Sequence, residues 1–94
     1  MNPLDELRAE YRRELPAKLE RLNTLWGGRQ MPELHRALHT LAGSAGSFGL
    51  REVSDAAREA EHYLDACGAA LDAGQQARFQ LLFDAICSRA ASAR

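Results

Sequence analysis

Along the N-terminal part of the chain, Leu4, Leu7, Tyr11, Leu15, Leu19, Leu22 and Trp26 recur every three or four positions. That spacing lays one apolar stripe along a long helix. Asn2 ahead of Pro3, with Asp5 and Glu6 behind, supplies a start: an Asx cap, a proline at the first helical position and carboxylates near the positive end of the dipole. Gly27 and Gly28 stop it. Pro16 falls inside the stripe and cannot donate to the Arg12 carbonyl, so this first helix is expected to be kinked or split there.

Three more helices follow from the same pattern. The second opens at Pro32 and Glu33 and places Leu34, Leu38, Leu41, Ala45 and Phe48 on one face. In the third, Val53, Ala56, Ala57, Ala60, Leu64 and Cys67 share a side, and Gly68 ends it. The fourth starts at Asp72, with Gln75 in capping-box position, and carries Phe79, Leu82, Phe83, Ile86 and Ala90. Short polar or glycine-containing links leave each helix beside its predecessor. The expected fold is all-α, an antiparallel up-down four-helix bundle, with Leu34, Leu38, Leu41, Val53, Leu64, Phe79, Leu82, Phe83 and Ile86 inside.

Composition narrows the function classes. The 94 residues suit one domain spanning 1–94, free-standing or a module of a larger protein. A net charge of −1, from 12 basic and 13 acidic residues, gives no basic field for nucleic acid or an anionic membrane. The apolar runs are too short to span a bilayer and no signal peptide is evident, so a cytoplasmic monomer is expected. Cys67 and Cys87 lack knuckle spacing and read as reduced packing residues.

On the second helix, His39 falls opposite the apolar face. Its neighbours there are His35 four before, Ala42 three after, Gly43 four after and Gly46 seven after. Downstream of His39 the surface is therefore nearly bare backbone, which would let a bulky partner reach the imidazole. Other chemistries fit poorly. "GSAGSFG" lacks the Gly-Lys-Ser/Thr ending of a phosphate loop and the preceding strand of a dinucleotide fingerprint. His35 and His39 have helical metal-pair spacing, but no third ligand is evident from the sequence, and no metal is expected. The acidic residues read as spread over solvent faces, and His62 lies on another helix.

The stretch ALHTLAGSAGSFGL, residues 37–50, resembles the signature of histidine-containing phosphotransfer (HPt) domains. There, a His-x-Leu-Lys-Gly-Ser-like run on the second helix of a four-helix bundle presents a phosphorylatable histidine. The resemblance implies that His39 is the phosphoryl acceptor and Leu41 the core leucine, with Gly43, Ser44 and Gly49 as the motif's small residues. It also implies a carrier without kinase activity and without a bound cofactor. Its partner would be a response-regulator receiver domain, alone or within a hybrid sensor kinase, whose acidic pocket holds Mg²⁺. His35, Arg36, Ala42, Gly43 and Gly46 would form the docking and access surface. One position departs from the signature: Ala42 stands where the family often has lysine, and Arg36, three before His39, is the nearest cation by helical geometry. That departure supports the alternative of a non-phosphorylated helical interaction module.

Overall fold

A computed structural model describes residues 2–68 and 70–93. Its four helices are α1 (Pro3–Gly27), α2 (Met31–Ser47), α3 (Arg51–Cys67) and α4 (Ala73–Ser92). They form an elongated bundle of 49 × 21 × 20 Å. The starts expected from sequence are present. Asn2 accepts from the Leu4 N–H, and Asp72 and Gln75 close a reciprocal capping box. Gly68, at φ +82°, ends α3. No helix among the described residues is long and apolar enough to cross a membrane.

α1 is not split. It runs through Pro16, which is exposed and, having no N–H, cannot donate to the Arg12 carbonyl. Its apolar stripe is also not buried along its whole length. α1 has 25 residues against 17 in α2, and the Tyr11 and Phe48 rings stack at 4.7 Å where α2 ends. The first turns of α1 therefore extend past the neighbour that would cover them, which leaves Leu4 and Leu7 exposed. At the other end Leu25, outside the predicted stripe, is buried beside Trp26, because the C-terminal turns of α1 are enclosed on more than one side.

Phe79, Leu22, Leu34, Leu38, Ile86 and Val53 are the largest fully enclosed side chains. Trp26 packs on Phe79 with ring centroids 4.5 Å apart and donates from Nε1 to Gln80 Oε1, tying α1 to α4. Leu82 departs from expectation. It is half-buried at the edge of the α4 stripe and packs against the core instead of lying within it. Both cysteines are free thiols at half-buried positions.

Candidate functional site

α2 and α3 pack side by side in opposite directions, joined by the short turn at Phe48–Leu50. Gly49 takes φ +79° there, a left-handed conformation that glycine adopts without strain. Two histidines of α2 meet two carboxylates of α3. His39 Nδ1 lies 2.8 Å from Glu61 Oε2, and His35 Nε2 lies 2.6 Å from Asp65 Oδ1. The His39 side chain is 76% exposed, while that of Glu61 is only 10% exposed. An almost enclosed carboxylate thus grips one edge of an imidazole whose remainder faces solvent.

This contact has a chemical consequence. A carboxylate only accepts, so Nδ1 carries the proton, and the neutral ring keeps its lone pair on Nε2. The free nitrogen is then a nucleophile held in one orientation. Glu61 also sits where positive charge develops on the ring when Nε2 forms a bond.

The residues predicted around His39 divide into three groups. Gly43 is helical, and a Cβ built on it meets nothing within 4 Å, so the space beside His39 is open as expected. Arg36 is exposed and shares a shallow surface with Pro32, His35, His39 and Glu61. Ala42 is 2% exposed, so it adds almost no surface of its own although it lines the recess beside His39. Three residues after His39, it falls on the flank of α2 that turns into α3, where its carbonyl accepts from Ser54 Oγ at 2.7 Å. At Gly46 a Cβ would lie 3.2 Å from Ser54 Oγ, so this glycine lets α3 approach closely.

Glu61 is the residue that sequence reasoning missed. The acidic residues are not all on solvent faces, since Glu61 is enclosed between the helices. His35, Glu61 and Asp65 bring their ligand atoms within 4.8 Å of one another. The cluster that could hold a cation therefore pairs His35 with two α3 carboxylates, and not with His39. His62 is exposed and borders the same surface as His39 and Gly43. The one sequence signal for Glu61 is weak: it falls in α3 between Ala60 and Leu64, at the margin of the apolar stripe.

Tyr11 completes the surroundings of the motif from α1, with its hydroxyl 2.6 Å from Ser44 Oγ. Burial, the dominant cause, raises the Tyr11 pKa above its ordinary value; the Ser44 hydrogen bond opposes this and the charge of Glu14 adds to it. Ser44 thereby links the motif helix to α1.

No curated protein and no solved structure matches the chain. A family model does: that of the Hpt domain, over residues 6–89. The match takes in all of α2 and α3 and most of α1 and α4. With a four-helix bundle and an outward histidine on its second helix, the chain belongs to the Hpt-domain family, whose members carry phosphoryl groups on histidine in phosphorelays and are not themselves kinases.

Proposed function

We propose that His39 accepts a phosphoryl group on Nε2 from the aspartyl phosphate of a receiver domain and returns it to another such aspartate. The observation that carries this reading is the 2.8 Å contact between His39 Nδ1 and Glu61 Oε2 on an otherwise exposed ring. In the forward step the Nε2 lone pair forms a bond to phosphorus. The phosphorus–oxygen bond to the partner aspartate breaks, and its electron pair leaves with the carboxylate. Positive charge appears on the imidazole as this occurs, and the Glu61 carboxylate offsets it. Transfer back is the same path reversed.

Phosphoryl transfer depends mainly on in-line positioning and charge neutralisation. The partner's acidic pocket and its Mg²⁺ supply most of that, and this chain supplies an oriented nucleophile with room around it. Gly43 provides the room, and His35 and Arg36 border the docking surface. In this reading the chain is a carrier that depends on its partner for catalysis.

The second reading, a helical module that binds a partner without being phosphorylated, rests on Ala42 in place of the signature lysine. One experiment separates the two. A phosphorylated receiver with Mg²⁺ is incubated with wild type and with His35→Gln, His39→Gln and His62→Gln, and acid-labile, base-stable phosphate is followed. Only His39→Gln should lose all label, with its melting temperature little changed. Label on His39→Gln, or none on wild type, removes the carrier reading.

A further inference from the structure

Three contacts fix the register of α2 against α3: His35 on Asp65, His39 on Glu61, and Gly46 against Ser54. The helices run in opposite directions, so one turn back along α3 from Glu61 matches one turn forward along α2 from His39. The first step reaches Arg58, and the second reaches Ala42 and Gly43. Arg58, Ala42 and Gly43 accordingly line one cavity of about 200 Å³ together with His39 and Glu61. The position that lacks a lysine on α2 thus faces an arginine on α3.

A phosphoryl group on His39 would add about −1.5 to −2 charges at neutral pH. Glu61 and Asp65 already hold carboxylates on the facing helix, so the product state needs a cation. Ala42 offers none. Arg36 lies on the side of His39 where His35 and Asp65 pair, away from Gly43. Arg58 is exposed and, among the described residues, its side chain takes part in no ion pair or hydrogen bond. The empty space over Gly43 gives its guanidinium somewhere to lie.

We infer that Arg58 is the phosphate-binding cation of this site: its planar fork takes oxygens of the phosphoryl group carried on His39 Nε2. This rests on His39 being the acceptor, and it adds a contribution from α3 that the α2 motif lacks. His62, one turn beyond Arg58, borders the same cavity, and Glu61 and Asp65 face it as the opposing charges.

The test needs no protein partner. The full chain is labelled with phosphoramidate, a reaction in which the phosphorus–nitrogen bond of the reagent breaks, ammonia leaves and the bond to Nε2 forms. Wild type, Arg58→Gln, Arg58→Lys and Arg36→Gln are compared by ³¹P NMR across pH. In wild type a nearby cation holds the phosphoryl group's second ionisation at lower pH than in Arg58→Gln. Arg58→Lys falls between the two, and Arg36→Gln matches wild type. Steady-state occupancy of His39 drops about two- to fivefold in Arg58→Gln, the range of an exposed ion pair. A labelled His39 whose phosphoryl group ionises alike in wild type and Arg58→Gln overturns the role of Arg58 alone. A wild type that takes no label on His39 overturns the acceptor reading, and this inference with it.

Discussion

His39 and Glu61 form a pair of opposite exposure: the imidazole is open to solvent, and the carboxylate oxygen 2.8 Å from its Nδ1 is almost enclosed. The enclosed partner cannot wander, so it fixes the ring. Glu61→Ala should leave the helices formed but free the imidazole to exchange tautomers and rotate. A hydrogen bond to a charged group contributes about 1.5–3 kcal/mol, so phosphotransfer through His39 should slow by about tenfold or more. Ring ¹⁵N shifts supply the independent check, since they should report one tautomer in wild type and a mixture in the variant.

Gly43 and Gly46 lie on one helix and should respond differently to the same methyl group. At Gly43 the methyl meets nothing, and alanine should raise stability by up to about 1 kcal/mol through helix propensity. At Gly46 the methyl meets Ser54 Oγ, which is already committed to the Ala42 carbonyl. Gly46→Ala should therefore fall short of Gly43→Ala by about 1 kcal/mol, the scale of one hydrogen bond. In a Ser54→Ala background that shortfall should vanish. Urea unfolding of the four variants measures the coupling. Gly43→Gln should keep the fold while slowing transfer from a receiver, which a melting curve beside a transfer time course would show.

Leu41 and Leu7 test where the core ends. Leu41 is buried, and its truncation to alanine should cost about 2–5 kcal/mol. Leu7 is half exposed on the overhanging start of α1, and the same change should stay within about 0.5 kcal/mol. Comparable losses at both sites would mean that the overhang is covered in solution.

Tyr11 predicts a response to alkaline pH. Burial raises its pKa above the ordinary value of 10.0, so folding favours the neutral phenol. The associated stability is complete below pH 10 and is lost as pH rises through the raised folded value. Tyr11→Phe, which cannot ionise, should lose less stability than wild type between neutral and strongly alkaline pH. Denaturant midpoints measured in parallel would reveal the difference.

Much of this was legible in the sequence, because periodicity and caps are local. The four helices, their starts at Asn2 and Asp72, the stop at Gly68 and the outward direction of His39 all follow from spacing within one segment. What spacing cannot give is the rotation of one helix about another. Ala42 lies three residues from an exposed histidine and could have faced either way until α3 was placed against it. Glu61 has the sequence surroundings of a solvated glutamate and becomes the partner of His39 only through the interhelical register. Leu4 and Leu7 continue a perfect stripe, but burial requires a neighbour, and α2 has already ended. The Hpt signature located the histidine without its α3 counterpart, since the motif is confined to one helix.

With Nδ1 committed to Glu61, His39 has a single open nitrogen on a single side of the bundle. If His39 carries a phosphoryl group, that group must arrive and leave through the same opening. A donor and a recipient each large enough to cover that surface could not dock together, so traffic through the module would be sequential. The first partner would have to depart before the second engaged, and net flow would run from the neighbour that holds the group less tightly. The module would then work as a single-berth exchange, with its pace governed by how briefly each visitor stays.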